Sequence, residues 1–245
     1  MCLKEDERID QLYADGIKII QSPKVFSFSL DAVLLANFPK IPKKGRIVDL
    51  CAGNGAVGLF IAKKTKSKIY QIELQEKLAD MAQRSVTLNH LEKQIEVFPL
   101  DLKDSLNKIS SDSCDLVLCN PPYFKGLPTN RKNPNPYYAI ARHETHTDLD
   151  EVLFTSSKLL KMNGHFAMVH RPDRFLEIID LMKKNRLAPK RIQFVYPKPG
   201  KDANILLIEG IKDGKLDGFK VLPPMFTYDS AGNYSLETSR LLYGQ

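Results

Sequence analysis

The sequence predicts an α/β fold: a seven-stranded, mostly parallel sheet with an antiparallel last strand and helices on both faces. Short apolar runs alternate with longer segments of helical character along most of the chain. This alternation is typical of a parallel sheet covered by helices. The last two apolar runs are joined only by residues 197–202, which are too few for a crossover helix. These two strands are therefore expected to pair antiparallel.

Each predicted strand is an apolar run bounded by polar residues, glycine or proline. The predicted strands are Arg46–Leu50, Lys68–Ile72, Ile95–Pro99, Asp115–Cys119, Gly164–Val169, Arg191–Tyr196 and Asn204–Ile211. The predicted helices are Leu30–Phe38, a helix running to about Lys64, Gln75–Asn89, Leu149–Leu160 and Pro172–Lys184. Short helix and strand pieces are expected within Arg8–Ile20. We expect residues 1–45 to form an N-terminal extension, residues 46–212 the main domain, and residues 213–245 a tail packed on that domain.

Length and composition favour one compact, enzyme-sized protein, since 245 residues with 43% apolar side chains can bury a full core. The sequence has no long apolar run and begins with the charged segment Met1–Asp10, so neither a membrane-spanning helix nor a secretory signal is expected. We therefore expect a cytoplasmic protein. The four cysteines show no CxxC spacing and no paired histidines, which favours reduced thiols and no metal site.

The chain is basic, with 36 lysines and arginines against 29 acids, and part of the excess is clustered. One acid-free cluster comprises Lys125, Arg131, Lys132 and Arg142. A second comprises Lys183, Lys184, Arg186, Lys190, Arg191, Lys198 and Lys201. Clustered cations favour a polyanion such as RNA, because they neutralise phosphates and release counterions. A solvated surface explains basic runs equally well.

A glycine-rich turn follows the first predicted strand and opens a Rossmann-like βαβ unit. Gly53 and Gly55 allow the backbone to approach a ligand closely, and the helix behind them offers unpaired N–H groups. Asp49 precedes the turn, where its carboxylate would repel a pyrophosphate but would suit a ligand that carries an ammonium or sulfonium group. The sign of the charge therefore favours S-adenosylmethionine over NAD.

Two further acids follow the next strands. Glu73 ends the second strand, where it is placed to accept hydrogen bonds from both ribose hydroxyls of a nucleotide-like cofactor. Asp101 follows the third strand and could receive the adenine amino group, beside Leu102. Each acid alone could equally be a helix cap or a loop residue, but three acids at successive strand ends support one another.

The fourth strand ends abruptly at Asn120-Pro121-Pro122-Tyr123. Proline fixes its own φ and pushes the preceding residue out of helical geometry, so these residues form a rigid turn. In an open α/β sheet, ligands bind beyond the carboxyl ends of the strands. The turn therefore brings an amide, a backbone carbonyl and an aromatic ring to the expected site, and Asn120, Pro121 and Tyr123 are the candidates for chemistry.

The chain resembles the class I S-adenosylmethionine-dependent methyltransferases that carry the Asn-Pro-Pro-Tyr motif. In particular it resembles the bacterial tRNA1(Val) adenine-37 N6-methyltransferase family of small-domain methyltransferases, over about residues 15 to 240. The resemblance is carried by Ser29–Leu35, Asp49–Gly58, Asn120–Tyr123, Ala141–Glu144 and His170–Pro172. The turn departs from many relatives at Cys51-Ala52, where they begin with a glycine, but Gly53 and Gly55 remain.

The resemblance implies how an exocyclic amine is activated. In the family, the side-chain oxygen of Asn120 and the backbone carbonyl of Pro121 accept the two N–H bonds and turn the nitrogen lone pair toward the sulfonium methyl, so no histidine is needed as a base. Tyr123 would stack on the extruded base, which is worth about 1–3 kcal/mol. The other residues expected to contact substrate are Pro122, Phe124, Lys125, Arg131, Lys132 and Arg142, and Asn120 is also expected to contact the cofactor.

Three readings compete at this stage. The first is an enzyme that methylates the N6 amine of an adenine in tRNA, or a base in ribosomal RNA. The second is a glutamine-N5 methyltransferase that acts on a release factor, because a carboxamide presents the same two N–H groups; that family usually has a larger helical N-terminal domain. The third is a non-catalytic RNA-binding protein on this scaffold, which the intact set of Asp49, Glu73 and Asn120 disfavours. Nothing in the sequence indicates an oligomeric state.

Overall fold

The structure, a computed structural model, describes residues 3–12, 16–25, 27–125, 137, 141, 143–144 and 147–244, without the side chains of Leu12 and His143. Its strands are β1 (Arg8–Leu12), β2 (Ile17–Gln21), β3 (Arg46–Leu50), β4 (Lys68–Glu73), β5 (Ile95–Pro99), β6 (Cys114–Cys119), β7 (Phe124–Lys125), β8 (His143–Glu144), β9 (Leu160–His170), β10 (Leu187–Tyr196), β11 (Ile205–Lys212), β12 (Lys220–Val221) and β13 (Met225–Phe226). Its α-helices are α1 (Leu30–Asn37), α2 (Ala56–Ala62), α3 (Glu76–Leu88), α4 (Leu149–Leu159), α5 (Phe175–Lys184) and α6 (Leu236–Tyr243).

The main sheet has the strand order β12-β10-β11-β9-β6-β3-β4-β5, and β13 also pairs with β10. Strands β5, β4, β3, β6 and β9 run parallel, whereas β11 is antiparallel to both of its neighbours, β9 and β10. The predicted fold class is therefore confirmed, including the antiparallel last strand. The seven predicted strands form this sheet, and two short strands from residues 213–244 extend it along β10.

Strand boundaries agree closely where the apolar run is unbroken. Strands β3 and β5 begin and end at the predicted residues. Strand β9 begins earlier than predicted, at Leu160 instead of Gly164. Residues 161–163 are exposed, and the pairing with β6 shifts register at Cys114/Leu116. This polar, irregular start of the strand breaks the apolar run on which the prediction depended.

The helical part of the prediction for Arg8–Ile20 is wrong for the residues that the structure describes, because Arg8–Leu12 and Ile17–Gln21 pair antiparallel as the β1–β2 hairpin. Ile17 and Ile19 are buried while Lys18 between them is exposed, which is the alternation of a strand. The amide of Ile20 donates to Ser85 Oγ of α3 at 2.9 Å. The hairpin is thereby attached to the helix that follows β4.

Most of the core lies in two apolar clusters, one on each face of the sheet, and a small third cluster packs β2 against α3. Adjacent residues of β3 separate between them, since Ile47 belongs to the cluster with α1, α2 and α3 and Val48 to the cluster with α4 and α5. The C-terminal ends of β3, β4, β5 and β6 therefore meet at one edge of the sheet, between the two helical layers. Among the helices of the described chain, none combines the length and apolarity that crossing a membrane requires.

Candidate active site

A cavity of about 370 Å³ opens at that edge of the sheet. It is lined by the turn after β3, by the ends of β4, β5 and β6, and by the residues that begin α1. Seven of the residues proposed from the sequence for cofactor or chemistry line it together: Gly53, Glu73, Asp101, Leu102, Asn120, Pro121 and Tyr123. Pro122 and Phe124, which were proposed to contact substrate, line it as well.

The glycine-rich turn serves the cavity in two ways. Gly53 has φ 58°, and a Cβ built on it would meet nothing within 4 Å, so its backbone is open to the cavity that it lines. Gly55 has φ 87° and caps α2, but it is not a lining residue; a Cβ there would lie 2.9 Å from Gln71 Oε1 of β4. The first glycine therefore gives a ligand access, and the second allows α2 to pack closely on the sheet.

Asp49 lies beneath this turn rather than on the cavity wall. Its side chain is 1% exposed, and its Oδ2 accepts from the amide of Gly58 at 3.1 Å and from Gln71 Nε2 at 3.4 Å. Its Oδ1 has no hydrogen-bond partner among the described residues. Burial, with a smaller contribution from the charge of Glu73, raises the pKa of Asp49 to about 7.

Glu73 and Asp101 stand at the cavity with part of their hydrogen-bonding capacity already used. Glu73 Oε2 accepts from the amide of Gly53 at 2.7 Å, and Oε1 accepts from the amide of Gln75 at 2.9 Å. Burial raises the pKa of Glu73. Asp101 Oδ1 caps a short 3-10 helix by accepting from the amide of Lys103 at 3.0 Å. Each carboxylate oxygen can accept more than one bond, so both acids retain acceptors for a ligand.

The Asn-Pro-Pro-Tyr turn is held from several sides. Tyr123 Oη lies 2.6 Å from Asn120 Oδ1 and 2.9 Å from Asp31 Oδ2. The Tyr123 ring packs against the ring of His170 with centroids 5.1 Å apart and a tilt of 56°. His170 Nδ1 accepts from the amide of Arg171 at 2.8 Å, and burial lowers the pKa of His170 to about 4, so this imidazole is neutral.

A buried arginine braces the residues that follow the turn. Arg174 is 8% exposed, and its guanidinium lies 2.6 Å from Glu144 Oε1 and 2.7 Å from Glu177 Oε1. Its Nη1 also donates to the backbone oxygen of Tyr123 at 3.5 Å. Strands β7 and β8 pair in parallel immediately beyond, so this ion-pair group fixes where the chain leaves the turn.

The predicted phosphate contacts are only partly covered by the structure. Lys125 follows the lining residue Phe124, and its Nζ lies 3.1 Å from Glu177 Oε2. Arg131, Lys132 and Arg142 lie outside the described residues.

In the folded structure, acids neutralise part of the positive charge of the second basic cluster. Acids from distant parts of the chain pair with four of its members: Lys184 with Asp150 at 2.6 Å, Arg186 with Asp213 at 2.6 Å, Lys190 with Asp217 at 3.4 Å, and Arg191 with Glu209. The acids lie outside the acid-free stretch of sequence, so that stretch alone gives no sign of these ion pairs. The argument for a polyanion drawn from this second cluster is accordingly weakened.

Two charged residues of the cavity wall were missed by reasoning from the sequence. Asp31 stands in the first turn of α1, and Arg171 follows β9 with its guanidinium 5.9 Å from the ring centroid of Phe124. Both lie in segments that carry the family resemblance, but neither received a role. The available signal for Asp31 was a single acid at the start of an otherwise apolar helix.

Comparisons with known proteins identify the family of the chain. The family model described as "Methyltransferase small domain" matches residues 16–187. The chain belongs to the methyltransferase small domain family. It is accordingly a methyltransferase, and the resemblance drawn from its motifs is confirmed. A tRNA1(Val) (adenine(37)-N6)-methyltransferase of Bacteroides fragilis (strain YCH46) is 31% identical over 170 residues, which cover 69% of this chain and 70% of the relative.

Further relatives extend the match along the chain. A protein of the same name from Porphyromonas gingivalis (strain ATCC BAA-308 / W83) is 26% identical over 219 residues, covering 86% of this chain and 85% of that one. Among solved structures, the predicted O-methyltransferase Atu636 of Agrobacterium tumefaciens has a TM-score of 0.70 at 24% identity, over 87% of this chain and 96% of that chain. TYW2 of M. jannaschii, solved in complex with AdoMet, has a TM-score of 0.58 at 16% identity, over 86% and 88% of the two chains. These structures show the shared fold.

The small-domain methyltransferase site described here contains no cluster of histidine, cysteine, aspartate and glutamate side chains suited to a metal ion, as far as its described residues extend.

Proposed function

We propose that this protein transfers the methyl group of S-adenosylmethionine to the exocyclic N6 amine of an adenine in tRNA, as the names of its tRNA1(Val) adenine-37 relatives indicate. The observation that carries the proposal is the convergence of Asn120, Pro121 and Tyr123 on the cavity that Gly53 and Glu73 also line. The two oxygens that could accept hydrogen bonds from an amine, on Asn120 and Pro121, therefore belong to residues that line a nucleoside-sized cavity. The relatives' names supply the substrate class.

The residues at the cavity fit a sulfonium nucleoside. The open backbone at Gly53 accommodates a close ligand, and the buried carboxylate of Glu73 offers free acceptor positions for vicinal hydroxyls. Gln75 Oε1 is buried, lines the cavity, and is without a hydrogen-bond partner in the part of the chain that the structure describes, so it offers a further acceptor. The carboxylates of Asp49, Glu73 and Asp101 make this end of the cavity favourable for a cationic ligand and unfavourable for a pyrophosphate.

The amine is prepared by geometry. An exocyclic amine of adenine donates its lone pair into the ring and is a poor nucleophile while it remains planar. The Asn120 side-chain oxygen and the Pro121 carbonyl accept one N–H each, which aligns the nitrogen with the cavity and favours tetrahedral geometry. When bound, S-adenosylmethionine supplies an electrophilic methyl group on a cationic sulfur. Positioned acceptors and proximity together can lower such a barrier by several kcal/mol.

The base is held by the wall beside these acceptors. Tyr123 and Phe124 both line the cavity, and the Tyr123 ring is supported from one side by His170. Stacking of this kind contributes about 1–3 kcal/mol per base, comparable with the few kcal/mol needed to unstack an unpaired nucleotide. Lys125, together with Arg131, Lys132 and Arg142, would contact the phosphates that flank it.

The experiment is incubation of the purified protein with S-adenosylmethionine labelled in its methyl group and with bulk tRNA lacking this modification, followed by mass analysis of nucleosides and proteins. The expected product is labelled N6-methyladenosine in tRNA. Label in a glutamine of a release factor would establish the carboxamide reading instead. Absence of label from RNA and from protein, with the cofactor bound, would contradict the proposal.

A further inference from the structure

Asp31 forms a contact across the fold that its place in α1 does not require. The N-cap of this helix is Ser29, and the five residues that follow Asp31, Ala32 to Ala36, are buried and apolar. The Asp31 carboxylate faces the cavity, where its Oδ2 lies 2.9 Å from Tyr123 Oη, a residue 92 positions further along the chain. An acid placed in this way links the N-terminal segment to the turn that carries the chemistry.

The Tyr123 hydroxyl has one proton and two oxygen neighbours, Asp31 Oδ2 at 2.9 Å and Asn120 Oδ1 at 2.6 Å. An ionised carboxylate attracts that proton more strongly than an amide oxygen does, because hydrogen bonds to charged acceptors are about twice as strong. The shorter distance, to Asn120, is that of a donated hydrogen bond in the ligand-free protein, so Asp31 competes for this proton. When the proton lies toward Asp31, both acceptor positions of Asn120 Oδ1 are open to other donors instead of one. When Asp31 is protonated, the direction of its hydrogen bond changes. The Asp31 carboxyl then donates to Tyr123 Oη, and the Tyr123 hydroxyl donates to Asn120 Oδ1.

We propose that Asp31 is a positioning residue for methyl transfer, whose ionised carboxylate holds the Tyr123 hydroxyl proton and so leaves Asn120 Oδ1 available to the substrate amine. This inference rests on the proposed function, since it assigns Asn120 the role of amine acceptor. Asp31 acts through Tyr123 and does not itself contact the amine. The residue thereby makes methyl transfer dependent on its own ionisation.

Among Asp31, Tyr123 and His170, Asp31 is the group whose surroundings make it the one that titrates. Burial raises the pKa of Asp31 above its ordinary value of 3.8, although the Tyr123 hydroxyl, Ser29 and the Arg171 guanidinium oppose the shift. Burial and the neighbouring Asp31 charge raise the pKa of Tyr123 far above its ordinary value, so its hydroxyl keeps its proton. His170, behind the Tyr123 ring, is neutral above a pKa of about 4.

The test compares Asp31→Asn with the unaltered enzyme by measuring kcat between about pH 5 and pH 9, with both substrates saturating. In the unaltered enzyme kcat falls at low pH as Asp31 becomes protonated. In Asp31→Asn the side chain cannot ionise, so we expect kcat to be reduced at least about tenfold at pH 8, which corresponds to one hydrogen bond of about 1.4 kcal/mol, and the low-pH fall to be smaller. Asp180→Asn, an exposed acid on α5, is the charge-matched control and should keep both kcat and its pH profile.

A double-mutant cycle separates positioning from general damage to the fold. Tyr123→Phe removes the hydroxyl through which Asp31 acts, so Asp31→Asn should reduce kcat no further in the Tyr123→Phe background. Asp31→Glu retains an ionisable group and should restore part of the pH dependence. Multiplicative effects of the two substitutions, or an unchanged pH profile in Asp31→Asn, would overturn the proposal.

Two measurements distinguish this role of Asp31 from a role in cofactor binding and from the proposed function itself. Calorimetry with S-adenosylmethionine should give the same affinity for Asp31→Asn and the unaltered protein; weaker binding with full kcat at saturation would assign Asp31 to the cofactor instead. The side-chain amide resonances of Asn120 should shift with pH in the unaltered protein and not in Asp31→Asn. This NMR titration needs no turnover, so a failure of the proposed function leaves it informative, and a flat titration in the unaltered protein would contradict the inference.

Discussion

Replacement of Asp49 by asparagine tests the electrostatics beneath the cofactor turn. The Asp49 carboxylate is buried, and its Oδ1 has no partner in the described part of the chain, while its Oδ2 accepts from the amide of Gly58. Asparagine has nearly the same shape and keeps an oxygen for that bond, but it cannot ionise. The ligand-free variant is therefore expected to lose the pH dependence that Asp49 contributes to stability.

The sign and the magnitude of this pH dependence of stability follow from the pKa of Asp49, which burial raises from 3.8 to about 7. Between these values the folded protein keeps a proton that the unfolded chain has released, so stability falls as the pH rises through this window. Each pH unit corresponds to about 1.4 kcal/mol, so the loss from pH 5 to pH 8 reaches at most about 3 kcal/mol. The Asp49→Asn variant avoids this loss, although its buried NH₂ group costs about 1–3 kcal/mol at every pH.

The assay is urea unfolding of both ligand-free proteins at a series of pH values between 5 and 8. The free energy of unfolding of Asp49→Asn, taken relative to the unaltered protein, should rise steadily with pH, because the contributions of other titrating groups cancel in the difference. The variant should also bind S-adenosylmethionine more weakly. A difference that stays constant with pH, or that falls as the pH rises, would refute the account of Asp49.

Three other expectations follow from the structure. Gly58→Ala should destabilise the protein by about 1–3 kcal/mol in chemical unfolding, since a Cβ there would clash with the buried side chain of Gln71 at its Nε2 atom. Arg174→Met should cost about 3–5 kcal/mol because it leaves buried Glu144 unpaired, whereas Lys184→Met, which breaks an exposed pair, should cost at most about 1 kcal/mol; thermal and urea unfolding compare them. The affinity for tRNA should fall steeply with salt concentration in a binding titration, and a flat titration would count against phosphate contacts.

The sheet was predictable because its strands are apolar runs that the chain itself delimits. Strands β3 and β5 match their predicted limits, and the exposed residues 161–163 near the start of β9 account for the late prediction there. The hairpin β1–β2 was harder to predict, because a short segment with both charged and apolar residues fits a helix or a strand until its packing partner is known.

The positions of the motif residues at the ends of the strands were predictable from the sequence, but the contacts between distant side chains were not. Motif residues such as Glu73 and Asn120 stand at strand ends and line the cavity as expected. The bond from Tyr123 to Asp31 joins residues 92 positions apart, and the acids that pair with the second basic cluster lie 18 to 34 positions from their partners. Contacts of this kind arise from the folded arrangement and leave no local pattern in the sequence.

The most direct test of the central claim is the single-turnover rate of methyl transfer to tRNA by Asn120→Ala, with calorimetry as a check on cofactor binding. The account predicts that S-adenosylmethionine still binds, while the rate of N6-methyladenosine formation falls by about 100-fold or more, as for other preorganised hydrogen-bonding groups that act on a transition state. An unaltered rate in Asn120→Ala would contradict the claim that this amide and the Pro121 carbonyl hold the amine for attack.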